Sequence, residues 1–459
     1  MHSITSYLIT HLQSNRDIIF GLDIWELLVA VFGAIFVAYA AYNLSKRKRI
    51  DEFRANYASL NYNRSMYSDN MLEAYFKACG NGETVPELER GAHLLKPALG
   101  DRSPWDLLVD VRDIRLEPEF VCTDFRGVSY IGCRFPDIKF MHYRWRFLPN
   151  PMRLYSYNIR RYLGKKVFNG GIYHVTAVEA DGESVTINVG LSNYYSYYNS
   201  CEMLAFLSVC HQNRVLEGRW FQNYLMGDRL DRMTSKLLID IGRFDNRCVG
   251  IGVCTLTVVY GLEDADGMYF LVHHRAGGVS EAMNTISLVP AGSLQPNNGT
   301  DDIGTARMDI WYNIMREFEE EVLGRRESES TDRFAEGPIN GMKGYYLTMG
   351  LDPLTTKMEM VTMLTLDCSS VDVRDYIRGL VPEVADSPLD SVMFRDILRR
   401  HASAEGAITM EPLTRNMVDR FERYDEAMPV FRECMRYVCH NFDEIERMVQ
   451  EGSESYKSS

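Results

Sequence analysis

Three glutamates in the second half of the chain, Glu317, Glu320 and Glu321, have the residue type and spacing of a divalent-cation site. On a helix, residues three and four positions apart lie on one face, so these carboxylates are neighbours. Like charges at that spacing repel each other, and a cation placed against them removes the repulsion. Clustered carboxylate oxygens are the ligands that Mg²⁺ and Mn²⁺ prefer. A solvated acidic helix face is the alternative interpretation of the same spacing.

The glutamates belong to an amphipathic segment that spans residues 306–322. Its apolar side chains recur at every fourth position, namely Ile310, Ile314, Phe318 and Val322. This period predicts a helix with one buried stripe, and it puts the glutamates on a different face.

Several segments around this helix predict the strands of one sheet. They are residues 249–260, 268–274, 344–351 and 360–367, which are rich in apolar and β-branched side chains. Asp266-Gly267 predicts a turn between the first two of these strands. The helix is therefore expected to pack against a sheet built from both sides of it in the sequence.

The run Arg316-Glu317-Phe318-Glu319-Glu320-Glu321 resembles the core of the Nudix box, G-x5-E-x7-R-E-U-x-E-E-x-G-U, in which U is aliphatic. Before it, residues 286–296 contain Pro290-Ala-Gly292, which is similar to the Pro-Gly-Gly entry of the Nudix loop. The resemblance implies an α/β fold, specifically a Nudix-like α/β/α sandwich with a mixed sheet.

The sequence departs from the Nudix pattern around the loop. Met308, with Asp309 beside it, stands where the box has its first glutamate. Leu323 replaces the glycine that follows the last glutamate, and Gly324 comes one residue late. Residues 297–302 form an insertion before the helix. The metal-ligand face is thus mostly present, whereas the loop that frames it is altered.

The resemblance also implies roles for individual residues. Glu317, Glu320 and Glu321 would hold Mg²⁺ or Mn²⁺, and Glu320 would be catalytic if the domain hydrolyses its ligand. Arg316 would orient the ligating carboxylates and, with Gly292, contribute to the ligand pocket.

Composition limits the class of partner. The chain has 459 residues, of which 46% are hydrophobic, enough for a packed body with additional modules. Its net charge of −13 argues against binding a nucleic acid polymer, which requires a basic stripe. The ten cysteines form no Cys-x-x-Cys pair, a pattern that argues against zinc and fits a reducing cytosol.

Residues 27–45 contain no charged side chain, and about 20 apolar residues span a bilayer core. Trp25 and Tyr42 lie near the two ends, as interfacial aromatic residues do. The basic run Lys46-Arg47-Lys48-Arg49 follows immediately. These features predict a single-pass membrane helix, with the N-terminus outside and the C-terminal part in the cytoplasm. A cleaved signal peptide fits less well, because its basic residues come before the apolar run.

The apolar helix also carries a face of small residues. Ala30, Ala34 and Ala38 recur every four positions, and small residues at this spacing allow two membrane helices to approach closely. The face predicts a homo-oligomer.

Other segments carry weaker signals. Residues 172–178 and 184–190 flank Asp181-Gly182 and predict a β-hairpin. Tyr194 and Tyr195 offer flat faces and hydroxyls to a ligand, although the segment favours packing under the sheet. Residues 119–147 are strand-like, with interleaved aromatic and basic side chains. Residues 203–216, 382–405 and 417–448 predict helices, the last with a break at Pro429.

The predicted organisation is an extracytoplasmic N-terminus (1–22), a transmembrane helix (23–45), a strand-rich connecting region (46–165), a Nudix-like domain (166–380), and C-terminal helices with a disordered tail (381–459). This layout is similar to that of the transmembrane-Nudix effectors of bacterial cyclic-oligonucleotide (CBASS) antiphage systems. The similarity implies that a cyclic nucleotide binds the soluble domain and that the transmembrane segment, located in the cell inner membrane, then assembles and disrupts that membrane. The alternatives are a membrane-anchored Nudix hydrolase that cleaves a nucleoside diphosphate derivative and a tethered protein-binding scaffold.

Overall fold

A computed structural model gives the fold of the chain. The structure describes residues 24–64, 66–68, 70, 109–110, 115–118, 155–165, 167, 169–180, 185–216, 248–265, 267–276, 285–295, 310–325, 339–352, 354–381, 389–400, 406–424, 426–447 and 449. Several predictions fall outside these residues: the N-terminus (1–22), the strand-like region 119–147, the Asp181-Gly182 turn, the 297–302 insertion with Met308 and Asp309, and the tail.

The helices are α1 (Ile24–Tyr62), α2 (Tyr155–Leu163), α3 (Tyr194–Tyr197), α4 (Met203–Leu216), α5 (Ile310–Glu317), α6 (Val371–Leu380), α7 (Ser391–Arg400), α8 (Arg415–Glu422) and α9 (Pro429–His440). The wider turn of a π-helix links α3 to α4 over Tyr198–Glu202, and a second one, Phe318–Val322, continues α5.

The strands are β1 (Val109–Asp110), β2 (Arg115–Pro118), β3 (Gly171–Ala180), β4 (Val185–Asn193), β5 (Ile251–Tyr260), β6 (Tyr269–Arg275), β7 (Ile286–Ser287), β8 (Ala291–Ser293), β9 (Met342–Leu351), β10 (Met358–Asp367) and β11 (Gly406–Pro412). The strands predicted from the sequence at 249–260, 268–274, 344–351 and 360–367 are confirmed as β5, β6, β9 and β10, within two residues at each end.

The main sheet is mixed and has eight strands among the described residues. Its order is β1-β9-β10-β5-β6-β11, with β7 paired to β6 and β8 paired to β5. β5 and β10 run parallel at its centre, and every residue of both strands is buried. Near-continuous apolar runs are what strands covered on both faces require. The prediction of an α/β fold with a mixed sheet is confirmed.

Helices cover both faces of this sheet. Alternate residues of β5 point to opposite sides, so that Ile251 and Val253 join one core with α5, α6 and α7. Leu256 and Val258 join the other core, with α8 and α9. Residues after 380 therefore add helices to both faces of the sheet, α7 on one and α8 and α9 on the other. They also contribute β11, a strand that was not predicted from the sequence.

A smaller sheet, of order β2-β4-β3, lies beside the first. Its β3–β4 pair is antiparallel, which confirms the predicted hairpin strands. Backbone hydrogen bonds of 3.0 Å from Tyr173 to Leu294 and of 2.9 Å from Val175 to Val249 join the two sheets.

Helix α1 is continuous over 39 residues. Among the residues that the structure describes, it is the one helix long and apolar enough to cross a membrane, judged by length and composition. Large apolar side chains on its first half are exposed: Val29, Val31, Phe32, Ile35, Phe36, Val37, Tyr39 and Leu44. Phe53, Tyr57 and Leu60 on its second half are buried. The helix therefore continues beyond Ser45, the predicted end of the membrane span, into the core of the body.

Candidate functional site

The predicted acidic helix is present, and its apolar stripe faces the core. Ile310 and Ile314 on α5 and Phe318 and Val322 on the following π turn are all buried in one cluster. On an α-helix of 3.6 residues per turn, a stripe that repeats every fourth residue drifts by about 40° per step. The wider π turn rotates less per residue and offsets this drift. The bulge therefore keeps Val322 in line with the rest of the stripe.

Arg316 holds two of the predicted metal ligands. Its Nη2 donates to Glu317 Oε1 at 2.5 Å, and its Nη1 lies 3.7 Å from Glu320 Oε1. The three side chains are 9%, 13% and 20% exposed, respectively, so the carboxylates do not stand in open solvent. Glu317 and Glu320 are therefore not a fully solvated acidic face, because Glu317 is hydrogen-bonded to a buried guanidinium that also lies near Glu320.

The third glutamate and the predicted glycine meet at strand β8. Glu321 Oε2 accepts a 2.8 Å hydrogen bond from the backbone N–H of Ala291. A Cβ added to Gly292 would lie 2.1 Å from Glu317 Oε1, so only glycine allows this approach. The structure therefore brings Gly292, Arg316 and the three glutamates together, as the sequence analysis expected, and this set is called the carboxylate cluster below.

Strand β8 lies where β5 and β6 separate from each other. β5 pairs with β8 at Gly252–Cys254 and with β6 only at Val258 and Val259. Between these points, the Thr255 N–H donates to Pro290 O at 2.9 Å, and the Thr257 hydroxyl donates to Val289 O at 2.7 Å. The carboxylate cluster therefore rests on a short strand that lies in the opening between β5 and β6.

Glu319 has a structural role that the sequence did not reveal. It is fully buried, and its carboxylate accepts hydrogen bonds from Arg325 Nη1 at 2.9 Å and from the Tyr376 hydroxyl at 3.0 Å. These bonds join the π turn to α6. The four glutamates look alike in the sequence, and only the rotation introduced by the π turn separates the buried one from its neighbours.

The arrangement of the carboxylate cluster bears on the predicted metal ion. Within the described ranges, no group of three or more His, Cys, Asp or Glu side chains is arranged to hold a metal ion. Arg316 supplies the positive charge beside Glu317 and Glu320, and Glu321 is engaged with Ala291. As placed, these residues do not fit a shared Mg²⁺ or Mn²⁺ ion, so the cofactor stays a prediction.

Tyr194 and Tyr195 lie in another part of the body. Both pack against a third core, which contains no residue of the carboxylate cluster. The Tyr195 hydroxyl donates to Val167 O at 3.1 Å and accepts from Arg160 at 2.7 Å, while the Tyr194 ring lies 5.0 Å from that of Tyr198. These contacts match the prediction that Tyr194 and Tyr195 pack beneath the small sheet, which was the alternative to ligand binding.

The third core joins α1 to the rest of the body through aromatic rings. We call it the aromatic joint, and its large rings are Phe53, Tyr57, Tyr67, Tyr155, Tyr197, Tyr198 and Phe206. Burial raises the pKa of Tyr155 well above its usual value, and the nearby Glu202 carboxylate adds to that rise. Asn213 on α4 donates to Asn56 on α1 at 2.9 Å and accepts from Tyr67 at 2.6 Å.

The predicted membrane residues all lie on α1. Ala30, Ala34 and Ala38 are exposed, as are Arg47 and Lys48, and Lys46 is half-buried. The side chains of Trp25 and Arg49 lie outside the described part of the chain.

Comparison with known proteins does not assign the chain to a family. No model of a known protein family matches it, and no curated protein matches it either. The likeness to the Nudix pattern therefore rests on residues 286–296 and 316–321 and on the layout of the chain.

Proposed function

We propose that the chain is a membrane-anchored effector whose α/β body binds a small nucleotide, a cyclic second messenger, and disrupts the membrane through α1. The observation that carries this proposal is the continuity of α1, which runs from an exposed apolar half into the aromatic joint. A tether for an enzyme needs no rigid connection to the body. An effector that acts on the bilayer needs one.

The connection is short and stiff. Eight residues separate Ser45, at the end of the uncharged stretch, from the buried Phe53, which is about 12 Å of helix. A tilt or rotation of the aromatic joint therefore reaches the apolar half of α1 directly. The basic run that lies between them is part of the same helix.

A chain of direct contacts leads from the carboxylate cluster to α1. Next to Gly292 and Ser293 on β8, the Leu294 N–H donates to Ile251 O at 2.9 Å. One residue before Ile251, a Cβ on Gly250 would lie 3.0 Å from the Tyr197 ring, which belongs to the aromatic joint. A movement of β8 can thus be transmitted through β5 to the aromatic joint. This is a physical route by which the carboxylate cluster can be coupled to α1.

A ligand changes the equilibrium between two conformations of the body only if it binds one of them more tightly than the other. Arg316 offers such a difference, because guanidinium binds phosphate oxygens bidentately. A nucleotide phosphate that takes Arg316 from Glu317 frees that carboxylate to move away from Gly292. Ligand binding and the position of β8 are then linked.

Assembly in the membrane is the expected output. The exposed alanine face at positions 30, 34 and 38 allows close approach of two α1 helices. A homo-oligomer of bodies would bring several such helices together in one patch of the bilayer.

Deletion of residues 1–49 tests the proposal. Binding should survive, measured as a rise in melting temperature with a panel of cyclic dinucleotides and cyclic trinucleotides, because a ligand that binds only the folded state stabilises it. Growth arrest upon expression with the matching nucleotide cyclase should disappear. A truncated protein that still arrests growth contradicts a membrane role for α1.

A membrane-anchored hydrolase is the second candidate, favoured by three carboxylates and an arginine gathered at one strand. The full chain, incubated with nucleoside diphosphate derivatives and Mg²⁺ or Mn²⁺, would then release product, and Glu320→Gln would not. If the protein binds a nucleotide and returns it intact, the effector is supported and the hydrolase is excluded.

A further inference from the structure

Helix α2 lies against α1 just beyond the basic run of residues 46–49. Arg54 Nε on α1 donates to the carbonyl oxygen of Tyr162 at 3.2 Å. The rings of Phe53 and Tyr162 also meet edge to face, with centroids 6.4 Å apart. These contacts involve the last turn of α2, so that end of the helix is fixed beside α1.

The Tyr162 side chain is half-buried at this contact. Burial raises the pKa of its phenol, and the neighbouring phenols of Tyr157 and Tyr42 add to that rise. Tyr42 lies at the end of the uncharged stretch, eleven residues before Phe53. The contacts at Phe53 and Arg54 therefore place the last turn of α2 about 12 Å along α1 from Ser45, where the uncharged stretch ends.

Both helices carry basic side chains close to this contact. Three come from α1 and three from the end of α2 or just after it, namely Lys46, Arg47, Lys48, Arg160, Arg161 and Lys165. We call this set the basic collar. Four of the six are exposed and the other two are half-buried. The only acidic residues in the α1 segment next to it are Asp51 and Glu52, in a chain whose net charge is −13.

We infer that the basic collar binds the anionic phospholipid headgroups of the membrane that α1 enters, with Arg161 and Lys165 as contacts that the body itself contributes. The inference rests on the proposed anchoring by α1. Lys46, Arg47 and Lys48 directly follow the apolar half, where headgroups begin. The headgroup layer is about 5–8 Å thick on each side, which long basic side chains can cross.

This contact gives the body a preferred orientation. α1 alone leaves the body free to rotate about the helix axis and to tilt with it. A second basic contact, from a helix packed against α1, fixes one side of the body on the membrane surface. Each basic side chain near an anionic surface favours the contact about fivefold.

Hydrogen exchange on the full chain in lipid nanodiscs tests the inference. One preparation contains phosphatidylcholine alone, and the other contains about 30% phosphatidylglycerol, which supplies the anionic surface potential. Exchange in residues 155–165 should slow about fivefold in the anionic discs, and the difference should vanish at high salt because screening removes it. Arg161→Gln with Lys165→Gln should abolish the difference.

Arg399→Gln with Arg423→Gln is the matched control, since these arginines, on α7 and directly after α8, are 76% and 75% exposed. That variant should keep the full lipid dependence. Equal melting temperatures of both variants and the wild type in phosphatidylcholine discs show that the folds are intact. Equal exchange of the wild type in the two lipids, or the same slowing by inorganic phosphate without anionic lipid, overturns the inference. A chain that fails to enter nanodiscs at all contradicts the anchoring instead.

Discussion

The guanidinium of Arg64 donates a 2.7 Å hydrogen bond to Glu202, 138 residues further along the chain. Both side chains are almost fully buried, and the Tyr197 hydroxyl donates to the same carboxylate oxygen at 3.1 Å. Arg64 follows the end of α1, and Glu202 ends the π turn between α3 and α4. This ion pair therefore fixes the end of α1 to the body at the aromatic joint.

Breaking the Arg64–Glu202 pair should loosen this attachment. Arg64→Met leaves a buried carboxylate without its ion-pair partner, which typically costs about 3–5 kcal/mol. We expect a clear drop in the urea midpoint of the full chain in detergent. Replacing both partners, as Arg64→Met with Glu202→Met, should recover much of the loss, because no buried charge remains. A double variant that is as unstable as the sum of the single ones contradicts this account.

Gly292→Ala should disturb the carboxylate cluster. The added methyl group would lie 2.1 Å from Glu317 Oε1, so Glu317 must leave its position beside Arg316, or β8 must shift. We expect nucleotide-induced stabilisation, measured as the shift in melting temperature, to fall at least several-fold.

Gly379→Ala is the control for that substitution. Gly379 lies on α6, and an added Cβ there meets nothing within 4 Å. Alanine in a helix is favoured over glycine by about 0.5–1 kcal/mol, so this variant should be slightly more stable and should bind normally. If both glycine variants lose nucleotide binding to the same extent, the prediction that Gly292 is specifically required for binding is wrong.

Glu433 should make the stability of the chain depend on pH. Burial raises the pKa of this carboxyl group from 4.5 to about 7, a rise that the nearby Arg436 and Arg432 only partly offset. The folded state thus keeps a proton that the unfolded state releases. The resulting stabilisation is fully present below pH 4.5 and is lost as the pH rises to about 7.

Glu433→Gln tests this because glutamine does not titrate. From pH 4.5 to 8, the free energy of unfolding of the wild type should fall relative to that of the variant, by an amount on the order of 3 kcal/mol. Parallel pH profiles of the two proteins would show that Glu433 is ionised throughout.

Elements that depend on a local hydrophobic period could be predicted from the sequence. Features that depend on contacts between residues far apart in the chain could not. Strands β5 and β10 are continuous apolar runs, so their burial could be read directly. The π turn could not be predicted, because apolar residues at every fourth position fit an α-helix and a π-helix nearly equally. Which glutamate is buried depends on Arg325 and Tyr376, and nothing in the spacing of residues 316–321 indicates them.

Residue contacts across the chain were equally beyond prediction. Arg64 and Glu202 carry no motif, and the tyrosines around residue 195 could serve a ligand or a core with the same composition. Strand β11 was missed because its seven residues alternate only loosely between buried and exposed.

Dye release from liposomes that contain the full chain tests the central claim most directly. A cyclic nucleotide that raises the melting temperature should release the dye from wild-type and Ser45→Ala liposomes. Ser45→Pro should still bind that nucleotide but release little, since proline in the helix interior breaks the rigid link at a cost of about 3 kcal/mol. Equal release by Ser45→Pro, or no release by the wild type with any nucleotide that binds, would contradict the account.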